Sequence, residues 1–411
     1  MPLVNLHDML GHAYAHRYAV AAFGIAGLEF LAGCLEAAER SRAPVIFNVP
    51  AAPRADIDPE LLLPAVEAAA RRAQVPTAIH FDHAATLGEA VRGIRLGANG
   101  VMIDSSRLPL SDHLARTIEV VAMAKGCGVP VEAALGLVPD AAAAGELRLT
   151  TVEEARAFVQ RTGADFLAVS VGTAHGRPEG KLRLDTTRLR QINEALGIPL
   201  VIHGGTGLEE AQVQRLVAHG VAKINLFTAL DEAAWAALGN HGKGLSQRLR
   251  GVRQAVAGEA ERYIRWCGAA GRAAEVLAQC RPWEPVEHLI LYNLSRGFEH
   301  QAEALMALGR EVLSAIPGVR QVVTGTAIKE DAKFKLCWLV RFVAPEVIAS
   351  YRDHPAHLAF ADRHFRPLAE DRISIDYRLL EGAAATPLER TPIRIPMRKA
   401  RPEGAELGAR S

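Results

Sequence analysis

Three histidines hold like positions in this chain. His83 ends the stretch "AIHFDH", His175 lies in "AVSVGTAHG" and His203 ends "PLVIH", each at the close of a short apolar run. Three neutral imidazoles with an open position make the ligand set of a catalytic Zn²⁺ site, and nitrogen ligands also suit Co²⁺ or Fe²⁺. Asp82 stands beside His83, a carboxylate able to move a proton next to such an ion. One histidine at a strand end is ordinarily a packed structural residue. Three at equivalent strand ends, one of them beside a carboxylate, read as a site. His80 shares a strand face with Asp82 but lies deeper, and reads as structural or supporting. After His203 the chain runs Gly204-Gly205-Thr206-Gly207. Glycine amides can approach an anion closely because no Cβ intervenes, and the Thr206 hydroxyl adds a donor. Asp104 (followed by Ser105 and Ser106), Glu132, and Asn225 with Thr228 just after it fall in or after further apolar runs.

Those runs are "YAVAAFGI", "APVIFNV", "PTAIHFDH", "GVMID", "VPVEAAL", "DFLAVSV", "IPLVIHG" and "VAKINLF", with alanine- and leucine-rich helical spacing between them. Near-continuous apolar strands alternating with helices predict a parallel sheet covered by helices. Eight such units in about 230 residues is the count of a (β/α)8 TIM barrel, whose chemistry collects at the C-terminal strand ends. A doubly wound open sheet is the other arrangement this pattern allows. Helical, charged sequence continues to about residue 280, and "CRPWEP" (280–285) breaks it. Strand, helix, strand, strand, helix and strand follow, through "VEHLILYNL", a helix around 299–315, "VRQVVTGTAI", "FKLCWLVRFV", a helix around 345–365 and "RISIDYRLL". This predicts a second, α+β domain over 286–380 after a barrel over 1–280. Residues 381–411, rich in Pro, Ala and Arg without periodicity, read as a flexible tail.

The chain has 411 residues, too many for one ordinary core. Lys plus Arg (47) nearly balance Asp plus Glu (46), so no global charge points to nucleic acid or a membrane surface. Five scattered cysteines without CxxC spacing read as reduced thiols of a cytoplasmic protein. No apolar run approaches the ~20 residues of a membrane span.

The stretches "AIHFDHA", "GANGVMIDSS", "VPVEAALG", "AVSVGTAHG", "LVIHGGTGL" and "AKINLFTAL", in this order, resemble the class II, metal-dependent fructose- and tagatose-bisphosphate aldolases over about residues 1–280. The resemblance implies that His83, His175 and His203 ligate a catalytic zinc ion and that Asp82 is the acid/base. It implies that Gly176, Gly204, Gly205, Thr206, Asn225 and Thr228 border the sugar-phosphate pocket, with a monovalent cation as a further companion. The implied reaction is retro-aldol cleavage of a ketose phosphate such as fructose 1,6-bisphosphate at C3–C4. It leaves an enediolate of dihydroxyacetone phosphate, whose charge a divalent metal stabilises. Residues 286–380, above all "YRDHPAH", resemble the stress-responsive dimeric α/β-barrel (Dabb) domains, ferredoxin-like units whose sheets pair across a dimer. The chain is therefore expected to form a homo-oligomer, dimer or tetramer. His288, His354 and His357 there read as packing and interface residues.

Several positions depart from the aldolase pattern. Ala134 replaces a glutamate, leaving a second metal site around Asp104 and Glu132 incomplete. The loop "LVPDAAAAGELRL" offers Asp140 and Glu146 but no aligned proton-transfer glutamate. Gly24 and Gly27 replace asparagines, Pro50 a serine, and Phe227 an aspartate. Arg262 and Arg265 are candidates for a distal phosphate across a subunit interface. Three alternatives to an aldolase of this kind stand beside it: an aldolase of altered substrate specificity, a non-catalytic metal-containing sugar-phosphate sensor or scaffold, and a barrel that mainly supports a ligand-binding C-terminal module.

Overall fold

The computed structural model describes residues 2–51, 57–139, 147–178, 180, 182–240 and 244–379. Asp140, Glu146 and the 381–411 tail lie outside the described residues. Eight parallel strands close in sequence order into a barrel: β1 (Val20–Gly24), β2 (Val45–Pro50), β3 (Thr77–Ala84), β4 (Gly100–Ile103), β5 (Val131–Leu135), β6 (Phe166–Val169), β7 (Leu200–Ile202) and β8 (Val221–Leu226). The TIM barrel is thus formed, and β1 pairing β8 excludes the open sheet. The apolar runs are strands because both their faces are covered, by helices outside and by side chains within.

Pairing register says which residues point inward. Gly24 lies opposite Asn48, Asn48 opposite His80, Ala22 opposite Asn225 and Met102 opposite Glu132. Alternation by two then sets His80, Asp82, Glu132, Lys223 and Asn225 on the interior face. One strand breaks this alternation. The β3–β4 register shifts between Phe81 and Ala84, and His83 has φ 56°, in the left-handed region that costs a non-glycine residue about 1 kcal/mol or more. The break lets the consecutive residues Asp82 and His83 serve one pocket.

After the barrel come β9 (Val286–Leu294), β10 (Val319–Thr326), β11 (Leu336–Phe342) and β12 (Ala369–Arg378), an antiparallel sheet in the order β10-β11-β9-β12. With a helix after β9 and helical turns after β11, this is the βαββαβ, ferredoxin-like arrangement. The expected helix over 345–365 is broken into Val347–Arg352, Pro355–Phe360 and a wide turn at Ala361–Phe365. Pro355, at the first position of its segment, lacks the N–H a continuous helix would need.

Barrel and sheet belong to one compact unit, Met1–Arg378. Arg320 of β10 makes a bidentate pair with Glu67 on a barrel helix (2.8 and 2.7 Å), and the Ser350 hydroxyl donates to the Gly126 carbonyl at 2.7 Å. Burial raises the Glu67 carboxyl, but Arg320 and Arg71 outweigh it and hold the group below its usual 4.5. A carboxyl depressed on folding stabilises the native state above its unfolded pKa and loses that contribution as pH falls through the folded value. Glu67→Gln should therefore cost about 2 kcal/mol at pH 7, the scale of a hydrogen bond to a charged group. In urea melts the gap from wild type should shrink steadily below pH 4.5; a gap unchanged by pH would exclude this ion pair as its source.

All five cysteines are unpaired, four of them buried. No described helix is long and apolar enough to cross a membrane.

Candidate metal centre and pocket

The three histidines meet at the C-terminal mouth of the barrel. His83 comes from the end of β3, His175 from the loop after β6, and His203 from the residue after β7. One ligand atom from each lies within 4.8 Å of the others, and the ring centroids are 4.9–5.9 Å apart. The rings of His83 and His203 are each held by a carboxylate, and the backbone of His175 is fixed by its amide. Nδ1 of His83 lies 2.9 Å from Asp104 Oδ2, leaving Nε2 as its ligand atom, while Nε2 of His203 lies 2.8 Å from Glu132 Oε1, leaving Nδ1. The His175 amide donates to the Pro139 carbonyl at 2.8 Å. A ligating histidine whose second nitrogen is held by a carboxylate is the arrangement that fixes tautomer and ring plane at metal sites. The donor set therefore fits a divalent ion of zinc type, with no thiolate and a pocket open beside it. Burial lowers the His83 imidazole, but Asp82 and Asp104 outweigh burial and raise it to about 9, so an arriving cation displaces a proton there.

Asp104 and Glu132 each serve a different histidine, and the described residues contain no ligand cluster that joins them. Glu132 does fall with Asp82 and His203 in a second group of close ligand atoms.

Asp82 is the carboxylate nearest the histidines on the pocket side, Oδ2 3.9 Å from His83 Nε2. It accepts from the Asn48 amide (3.3 Å) and the Asn225 amide (3.3 and 3.4 Å). Burial raises its pKa, yet His83, His203, Lys223 and His80 together bring it below the ordinary carboxylate value. The Oδ1 atoms of Asn48 and Asn225 are buried without a hydrogen-bond partner, acceptors that a bound hydroxyl or water would satisfy.

A pocket of about 210 Å³ opens on this side of the histidines, and Gly176, Gly204, Gly205, Thr206, Asn225 and Thr228 all line it. Among the described residues its lining holds no lysine or arginine. Gly204 has φ 69°, and a Cβ on it would lie 2.1 Å from the Ala174 carbonyl oxygen, which is why the turn after His203 needs glycine. Two departures prove to be one packing event: a Cβ on Gly24 would fall 2.7 Å from the Phe227 ring, so the glycine makes room for the phenylalanine. Ile25, Pro50 and Ile57 join Phe227 in an apolar wall of this pocket. A second cavity of about 480 Å³ lies on the other side of the histidines, with Asp104, Ala134, Leu137 and Arg107 in its lining.

Arg262 pairs with Glu259 on its own helix and stacks over Trp266, its guanidinium carbon 4.7 Å from the ring centroid. In the C-terminal sheet His288 pairs with Asp376 at 2.7 Å, His354 caps a helix by accepting from the Ala356 amide, and His357 packs on Tyr351. None of the three belongs to a metal-ligand group among the described residues. Two site residues escaped the sequence reading, Asn48 and Lys223. Each interrupts an apolar run, and Lys223 lies two residues before Asn225, hence on the same inward face.

Residues 4–272 match the family described as fructose-bisphosphate aldolase class-II, and residues 286–379 match the stress responsive A/B barrel domain. Among solved structures, the YdjI aldolase from Escherichia coli K12 is 30% identical, with a TM-score of 0.62, over 66% of this chain and 99% of that one. A Coccidioides immitis structure is 27% identical, with a TM-score of 0.61, over 66% and 98%. A fructose-bisphosphate aldolase from Campylobacter jejuni, 20% identical over 65% and 96%, shares the fold with a TM-score of 0.55.

Proposed function

This chain belongs to the class-II fructose-bisphosphate aldolase family and carries a stress responsive A/B barrel domain behind the aldolase barrel, and on that premise we propose the reaction and the roles of its residues. The protein is a metal-dependent lyase that cleaves and forms the C3–C4 bond of a ketose phosphate or bisphosphate such as fructose 1,6-bisphosphate, giving dihydroxyacetone phosphate and an aldehyde. The observation that carries this reading is the convergence of His83, His175 and His203 from three strand ends, with the Asp82 carboxylate 3.9 Å from His83 beside them. Bound at the three imidazoles, a divalent ion, Zn²⁺ with Co²⁺ or Fe²⁺ as substitutes, supplies electrostatic stabilisation of the negative charge that grows on the ketone oxygen. Asp82 takes the C4 hydroxyl proton as the carbon–carbon bond breaks, the resulting enediolate takes a proton from water at C3 to give dihydroxyacetone phosphate, and in condensation Asp82 returns its proton to the aldehyde oxygen. Asn48 and Asn225 hold that carboxylate in place. The Gly176 and Gly204 amides with the Thr206 and Thr228 hydroxyls cradle the phosphate, Thr206 already accepting from the Ala229 amide and so keeping its own proton to donate; the Gly205 amide donates to the Asn225 carbonyl at 3.1 Å and borders the pocket without contributing a donor.

The test incubates metal-loaded protein with a panel of ketose mono- and bisphosphates and follows triose phosphate with and without EDTA. Chelator-sensitive cleavage of at least one member is expected; none would favour the sensor reading.

The same proposal includes self-association. The outward face of the C-terminal sheet presents Val323, Ile373, Ile375 and Tyr377, each more than two-fifths exposed, with Leu289 and Leu339 in register among them. Such a face suits a second copy of this chain. Sedimentation should give a dimer or tetramer, and Ile375→Glu should lower the assembly state. A monomeric wild-type protein would dismiss this part.

A further inference from the structure

Inside the barrel, beneath the histidines, lies an ionic cluster of which only the Glu132–His203 contact has so far had a use. Lys223 of β8 and Glu132 of β5 are fully buried, with Nζ and Oε2 2.6 Å apart. The other carboxylate oxygen lies 2.8 Å from His203 Nε2. His80 of β3 completes the cluster, its Nε2 3.5 Å from Glu132 Oε2 and its Nδ1 3.4 Å from Lys223 Nζ. A buried ion pair is a poor stabiliser, since apolar residues of similar volume usually serve a core as well or better. Its place in the barrel supplies another reason for it. His83 finds its carboxylate at the rim, where Asp104 is part-exposed. The carboxylate under His203 sits where water does not reach, and needs a buried cation to keep both its charge and its orientation. His80 cannot be that cation, because burial and the Lys223 charge push its pKa down to about 3.

We propose that Lys223 and Glu132 are positioning residues for the metal centre. Lys223 fixes the Glu132 carboxylate, which holds the proton of His203 on Nε2 and turns Nδ1 to the point shared with His83 and His175. The proposal rests on reading those histidines as a metal triad, so it predicts metal affinity and ring tautomer independently of turnover.

The experiment compares wild type, Glu132→Gln and the charge-neutral pair Glu132→Gln/Lys223→Met, titrating metal-free protein with zinc against a chromophoric chelator. Each protein is held well below its own melting temperature. Loss of an outer-shell partner costs about 10–100-fold in metal affinity. A weakening of at least tenfold is expected in the pair, even though it leaves no uncompensated buried charge. A pair within threefold of wild type would overturn the proposal and leave the cluster a packing feature. His83→Ala, run in parallel, separates this from failure of the triad itself: unchanged zinc binding there condemns the triad. Should the substituted proteins fail to fold, histidine-selective ¹⁵N spectra of wild type decide the matter. A single His203 tautomer protonated at Nε2 supports the relay, and a proton on Nδ1 refutes it.

Discussion

Asp82→Asn is expected to retain zinc at the wild-type stoichiometry and to lose about a thousandfold in kcat, the middle of the range for a positioned acid/base. Asparagine keeps the shape of the side chain, so the amides of Asn48 and Asn225 still have an oxygen to donate to. What disappears is the carboxylate that, among the described residues lining this pocket, lies beside the imidazoles. Because Asp82 follows the interior face of β3 while His83 occupies the break in the strand, substitution at 82 leaves the ligand's backbone untouched. Zinc content by atomic absorption and steady-state cleavage on the best substrate of the panel check the two halves separately. Full turnover would remove Asp82 from the chemistry, and loss of zinc would make it a ligand.

His203→Ala should fail at both. Structural zinc sites with four ligands bind with about 10–16 kcal/mol, roughly 3 kcal/mol for each ligand, so removing one lowers affinity more than a hundredfold. Activity should fall below detection at stoichiometric metal. The variant also strips Glu132 of its hydrogen-bond partner while Lys223 remains, so the metal-free protein should melt a few degrees lower as well. Equilibrium dialysis at micromolar zinc is the check, and metal retained at wild-type affinity would exclude His203 from the ligand set.

How far these positions could be read from sequence depended on what each one answers to. A strand buried on both faces must be apolar along its length, so the eight runs stood out, and polar residues at their ends were conspicuous by contrast. His83, His175 and His203 were legible for that reason, as was the turn after His203, since glycine repeated at that spacing has few other uses. The geometry that makes Asp82 and His83 neighbours in one pocket was not legible. Alternation puts consecutive residues on opposite faces, and only the β3 register shift with its left-handed residue overrules it. Lys223 was passed over because a charged residue inside an apolar run has no meaning until its counter-charge, 91 positions away on β5, is brought opposite. The pairing of Gly24 with Phe227 was hidden for the same reason: β1 and β8 touch only when the barrel closes.

The break in β3 has a consequence for how such a protein can diverge. Asp82 and His83, the proposed proton carrier and ligand, are adjacent on one peptide, so their separation cannot drift when the rest of the mouth is remodelled. Gly24, Pro50 and Phe227, which line the pocket beside them, sit on other strands and their loops. On the proposed reading, reactivity and recognition are thus carried on different pieces of chain, and the pocket wall can change without moving the Asp82–His83 pair.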